Sequence, residues 1–171
     1  MTLHIGKLAK MQRELDKRID NEHPLQGVET VSDRIKMKKV ALMVELGELA
    51  NAWRGFKYWS HDNTPRTDMI DEYCDCLHFI LSLGEYDEDD CIDSDIRNII
   101  WPATVLYAPH HFKIAHMFEH LFQMLIDPQG RRNFLLGLIN LGHLLGFTDS
   151  QIEEAYEAKN RVNHMRQETG Y

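Results

Sequence analysis

Two pairs of carboxylates, Glu45-x-x-Glu48 and Glu72-x-x-Asp75, are the residues in this chain best spaced to do chemistry. Three residues along an α-helix bring side chains onto the same side, so each pair would present two carboxylates together. Four such groups gathered between two helices repel, each close pair by about 4 kcal/mol at roughly 4 Å and an effective dielectric of about 20. Divalent cations would relieve that repulsion. An oxygen-only donor set favours Mg²⁺ or Mn²⁺, and Mg²⁺ commonly shares its coordination shell with the phosphates of a substrate. The competing reading is a solvated acidic face. Against it, Phe79 extends the stripe of Asp68, Glu72 and Asp75, and a phenylalanine opposite an apolar seam suggests protein or ligand on both sides of the helix.

A second polar stripe lies near the end of the chain. Ile152, Tyr156, Lys159, Asn163 and Arg166 fall close to one line on a helix, with Asn160 and Gln167 beside it. Lysine, asparagine and arginine in this register offer donors to phosphate oxygens, and arginine can do so in bidentate fashion. A solvated terminal helix is the alternative. His78 and Phe79 follow Asp75 by three and four residues, a position from which a ring and a hydrogen-bonding edge could lie just beyond a metal site.

The elements that must carry these residues read as helices throughout, so the fold class is all-α, a multi-helix bundle. One helix is expected from about Leu3 to Ile19, with Leu8, Met11, Leu15 and Ile19 on one face, broken by the segment holding Pro24 and Gly27. The second, from about Ser32 to Phe56, has the seam Leu42, Leu46, Leu49, Trp53 and Phe56. A third begins near Thr64-Pro65 or Thr67 and runs to about Gly84, its apolar seam being Ile70, Tyr73, Leu77 and Leu81. The acidic run Glu85 to Asp95 reads as a solvated connection, and the stretch Ile96 to Pro109 stays ambiguous. Further helices are expected over His111 to Ile126 and Arg131 to Leu145, the latter stopped by Gly146, and a last one begins at Thr148 with Gln151 completing a capping box.

A chain of 171 residues suits one domain, taken here as residues 1–171, with 43% hydrophobic and 27% charged residues. The net charge of −8, from 27 acidic against 19 basic residues, argues against a surface built to neutralise a nucleic-acid polymer. Cys74, Cys76 and Cys91 are odd in number and lack a metal-binding spacing, which reads as reduced thiols of a cytoplasmic protein. No stretch approaches the roughly 18 to 20 apolar residues that span a bilayer, so no membrane partner is expected.

The run Val44-Glu45-Leu46-Gly47-Glu48-Leu49-Ala50-Asn51 with Trp53 and Phe56-Lys57-Tyr58-Trp59, followed by Asp71-Glu72-Tyr73-Cys74-Asp75-Cys76-Leu77-His78-Phe79, resembles the dimeric dUTP diphosphatases. These belong to the MazG-like, all-α NTP pyrophosphatases. Gln12 with Leu15-Asp16, and the closing Lys159-Asn160-Arg161-Val162-Asn163-His164-Met165-Arg166-Gln167 with Gly170-Tyr171, extend the resemblance over nearly the whole chain. It implies Mg²⁺-dependent hydrolysis of dUTP to dUMP and pyrophosphate, with dUDP as a further substrate. Glu45, Glu48, Glu72 and Asp75 would bind the metal, and Glu45 would also orient and deprotonate the attacking water. Gln12, His78 and Phe79 would contact uracil, and Lys159, Asn163 and Arg166 the phosphates. Trp53, Lys57 and Trp59 are further candidates for the pocket, with packing at a helix end as the alternative. The resemblance also implies a homodimer, consistent with a third helix that is apolar around most of its circumference.

Other classes compete. His116-Met-Phe-Glu119-His120 fits the H-x-x-E-H pattern of a zinc peptidase, but the sequence offers no third ligand. Asp75-x-x-His78 superficially matches a di-iron ligand pair and lacks a second copy. A pyrophosphohydrolase acting on dCTP or a modified nucleotide, or a non-catalytic helical scaffold, completes the alternatives.

Overall fold

Apolar residues at helical spacing must find a partner surface, and in this chain most of them find it around one helix. The computed structural model describes residues 2–84, 92–93, 107–126 and 131–170. Six helices run through them: α1 (Ile5–Glu22), α2 (Val31–Trp53), α3 (Met69–Leu83), α4 (His110–Ile126), α5 (Arg131–Leu144) and α6 (Asp149–Thr169). Two-residue strands, β1 (Thr2–Leu3) and β2 (Ile92–Asp93), pair antiparallel. That short pairing lies inside the run expected to be a solvated connection; the rest of Glu85 to Asp95, and most of Ile96 to Pro109, lie outside the described residues. The chain is all-α.

Helix α3 is the hub. It packs on α1, α2, α5 and α6, and Tyr73, Cys74, Cys76, Leu77, His78, Ile80, Leu81 and Leu83 are all buried along it. Its apolar circumference is therefore covered by its own chain. The apolar stripe left exposed is on α2, where Met37, Val40 and Val44 are each more than half exposed at spacings of three and four residues.

The expected seam of α2 holds through Leu42, Leu46, Leu49 and Trp53. Its ends differ from expectation. The helix starts earlier because Thr30 and Asp33 form a capping box, each side chain accepting the other's backbone N–H at 3.2 Å. It stops at Trp53 because Arg54 turns into the left-handed region at φ 62°, leaving Phe56 outside the helix and 38% exposed. Arg54 is held there by its guanidinium, which donates to the Asp62 carbonyl at 2.8 Å. Gly55 follows because any Cβ at that position would collide with the Trp53 indole. Helix α1 runs one turn further than expected, to Glu22, and α3 begins at Met69, just after Asp68. Thr148 and Gln151 cap α6 as expected.

Gly142 on α5 marks the closest approach of a neighbouring helix to α3. A Cβ there would lie 2.8 Å from the hydroxyl of the fully buried Tyr73. Gly142→Ala should therefore destabilise the fold by about 1 to 2 kcal/mol, overpacking exceeding the gain in helix propensity. Urea unfolding checks this: a midpoint equal to or above that of the wild type would contradict the close packing.

Candidate active site

Helices α2 and α3 lie against each other along their length, which turns the two sequence pairs of carboxylates into one cluster. One carboxylate oxygen from each of Glu45, Glu72 and Asp75 falls within 4.8 Å of the others, and all three residues are half-buried. Glu48 is exposed and stands beside this trio, close enough for its charge to act on both Glu45 and Glu72. Burial, then repulsion from Asp75, Glu48 and Glu72, pushes the Glu45 carboxyl up to about 7. Burial and then Glu48 raise Glu72 as well, with Arg66 opposing. An all-oxygen set that resists ionisation for these reasons fits a divalent cation, whose charge would reverse the repulsion.

Two cationic side chains partly neutralise the cluster. Lys159 on α6 donates to Asp75 at 2.6 Å. Burial nonetheless leaves the Asp75 carboxyl raised, since the Lys159 hydrogen bond only partly offsets it. On Lys159, burial is outweighed by the hydrogen bond and charge of Asp75, which keep its ammonium firmly protonated. Arg66, in the loop between α2 and α3, reaches Glu72 at 3.2 Å while also pairing with Asp68. Its backbone N–H caps the Ala52 carbonyl near the end of α2 at 2.8 Å, which fixes where the guanidinium stands. Sequence reasoning missed Arg66: an arginine in a polar loop has no periodicity to flag it.

Beyond Asp75, a cavity of about 360 Å³ opens between α1, α3 and α6. Glu45 and Asp75 stand at one side, and its lining includes Gln12, His78, Phe79, Asn163 and Arg166. These residues come from four helices, so the fold gathers candidates that are up to 154 positions apart in sequence. His78 is 5% exposed and stacks on Tyr156 with ring centroids 4.1 Å apart. Burial, helped by the positive Lys159, drives its imidazole down to about 3, so the ring is neutral. Its Nδ1 faces Gln12 Oε1 at 2.6 Å, whereas its buried Nε2 has no hydrogen-bond partner.

Trp53 and Lys57 are not brought to this cavity. Trp53 is buried and stacks on Phe118 at 5.5 Å, and Lys57 lies over the Phe56 ring at 5.5 Å. Trp59 packs edge-on against Phe56 and Tyr58. Lys38, Ser82 and Asp16 do line the cavity, and only Asp16 had been noticed, as part of a motif.

A family model described as dUTPase matches residues 4–171. The chain belongs to the dUTPase family. It is therefore an enzyme that hydrolyses dUTP. No curated protein matches the chain. Among the described residues, no helix is long and apolar enough to cross a membrane.

The raised carboxyls carry a stability consequence with a definite sign. A carboxyl whose folded-state value lies above its ordinary 4.5 binds its proton more tightly when folded. Its contribution is fully present below about 4.5 and is lost as pH rises through about 7. Without metal, the urea midpoint of the wild type should thus fall between about pH 5 and about pH 8 more than that of Glu45→Gln, and millimolar Mg²⁺ should recover stability at the upper pH. Parallel slopes for the two proteins in chelator would refute the assignment of the repulsion to Glu45.

Proposed function

We propose that the chain is a divalent-cation-dependent dUTP diphosphatase that yields dUMP and pyrophosphate and also accepts dUDP, acting as a cytoplasmic homodimer. The observation that carries this is a single cavity with clustered carboxylates at one side and a buried neutral histidine, its Nε2 unpartnered, among its lining. The two sides suit the two ends of a nucleotide. Glu45, Glu48, Glu72 and Asp75 would hold Mg²⁺, or Mn²⁺ in its place. When bound, such cations lower the pKa of water and neutralise charge on phosphoryl oxygens.

Glu45 stands nearest the requirements of a base: it is half-buried, flanked by the other carboxylates, and lines the cavity. In this reading it orients the attacking water and takes its proton, while the bond between the α- and β-phosphates breaks and pyrophosphate leaves. Lys159, Asn163 and Arg166 of α6 hold the phosphate oxygens, each charge-assisted contact contributing about 1.5 to 3 kcal/mol. Phe79 offers its face to the base, and His78 with Gln12 reads the base's edge. Trp53 and Lys57 serve the packing at the end of α2 instead.

Glu48→Gln and Asp75→Asn should abolish release of pyrophosphate from dUTP while leaving helical circular dichroism unchanged. In the same panel, Arg166→Ala should lower kcat/KM for dUTP and dCTP alike by about one to two decades, and His78→Ala should chiefly erode the preference for dUTP. Turnover at the wild-type rate in Asp75→Asn removes the acidic cluster from the mechanism.

The homodimer rests on the stripe of Met37, Val40 and Val44 on α2, which is apolar, exposed and leads along the helix to Glu48. A second copy seated there would lie beside the acidic cluster and bury that stripe. Val40→Glu should shift sedimentation from dimer to monomer at micromolar concentration; a wild type that sediments as a fully active monomer would rule the interface out.

A further inference from the structure

We propose that Asp16, anchored by Ser82 and Lys38, is the positioning residue behind the uracil preference, because it fixes the orientation of the Gln12 amide and through it the tautomer of His78. The specificity half of this proposal rests on the reading that His78 faces the base; the positioning half does not. A carboxylate only accepts hydrogen bonds, so the Gln12 atom 3.0 Å from Asp16 Oδ1 is the amide nitrogen, Nε2, which donates to it. The carbonyl, Oε1, must then point the other way. There it accepts from the Tyr156 hydroxyl at 2.9 Å and faces His78 Nδ1 at 2.6 Å.

An oxygen already accepting from tyrosine pairs with a ring nitrogen only if that nitrogen carries the proton. His78 is neutral, so a protonated Nδ1 leaves Nε2 with a lone pair. Nε2 is buried and unpartnered, in a residue that lines the cavity. A lone pair there complements the imide N–H of a uracil ring and opposes cytosine, whose corresponding ring nitrogen is itself an acceptor. With the Gln12 amide turned over, the proton would move to Nε2 and the preference would reverse. The polarity of the whole chain of hydrogen bonds is therefore set where it ends, at Asp16.

Asp16 is itself held in place from α2 and α3. The Ser82 hydroxyl donates to Asp16 Oδ2 at 2.6 Å, and the Lys38 ammonium donates to the same serine oxygen at 2.7 Å while standing 3.5 Å from Oδ2. The near-isosteric Asp16→Asn is thus informative. Lys38 and Ser82 draw the new carbonyl oxygen to their side, which turns the new NH₂ toward Gln12 and obliges Gln12 to present Oε1 to it. Gln12 Nε2 would then face His78.

Nitrogen-15 NMR of ring-labelled histidine, with His78 assigned by its loss in His78→Gln, reads the tautomer directly. The wild type should show a protonated Nδ1 and a bare Nε2, and this measurement requires no variant to fold. In Asp16→Asn the proton should move to Nε2, and the dUTP-over-dCTP ratio of kcat/KM should fall by about tenfold or more. Ser82→Ala, which keeps the carboxylate, should retain the wild-type tautomer. A wild-type spectrum with Nε2 protonated, an Asp16→Asn spectrum and substrate ratio unchanged from wild type, or a tautomer shift in Ser82→Ala would each overturn the proposal and leave Asp16 as a strut between α1 and α3. Adding dUMP to the wild type should shift the Nε2 resonance. If dUMP binds without moving it, the base does not lie against His78 and the specificity half fails, whereas the tautomers of the ligand-free proteins still decide the positioning half.

Discussion

Carboxylates on a helix that other helices surround must be neutralised or must fail to ionise, and much of this structure follows from that constraint. Helix α3 is packed by α1, α2, α5 and α6, yet it carries Glu72 and Asp75 on the edge that meets α2. Glu45 comes from the facing helix and adds a third charge to the same small volume. The costs are visible in the carboxyls themselves, all three of which are raised, with burial the leading cause. Lys159 and Arg66 answer two of them from opposite flanks, one on α6 and one in the α2–α3 loop. Such an arrangement holds together without a metal but is poised to exchange protein cations for bound ones, since the ammonium and guanidinium groups that pair with the carboxylates are also groups that bind phosphate.

Much of this architecture was legible in the sequence because it rests on periodicity. The α2 seam, the α3 seam and the capping box of α6 are regular patterns with local causes. The errors fall where a local conformation or a close approach overrides the pattern. Phe56 continues the α2 spacing, but the left-handed Arg54 and the crowded Gly55 end the helix first. The apolar girth of α3 reads equally well as an interface or as an interior. Only the packing of four helices around it shows that it is interior, and that the exposed apolar stripe belongs to α2.

The site divides in the same way. The carboxylates and the α6 stripe could be found because each repeats at helical spacing, and the fold then gathers Glu45, Asp75, Asn163 and Arg166 around one cavity. Trp53 and Lys57 carried the composition of a binding box without its placement, because the indole turns inward to Phe118. What could not be read was the polar web linking α1, α2, α3 and α6 through Lys38, Ser82, Asp16, Gln12 and Tyr156. Each member is a lone polar residue on its own helix, and the partners lie as far as 144 positions away. No local pattern encodes a hydrogen bond of that range.

The two ends of the cavity then differ in kind, and the difference has a physical use. Around Asp75 the interactions are ionic, partly exposed, and open to rearrangement as cations and phosphates come and go. Around His78, three residues further along α3, they are neutral, buried, and fixed by hydrogen bonds of definite direction. A charged reader of the base in that position would change its state whenever the cluster beside it gained or lost a cation. A neutral imidazole, stacked on Tyr156 and kept far from protonation by burial and by the positive Lys159, does not. Discrimination between bases depends on where one proton sits, and the fold places that proton on the side of the histidine facing Gln12, away from the ionic end. In this reading, choice of base is decoupled from the electrostatics of hydrolysis, although both are read from residues of one helix.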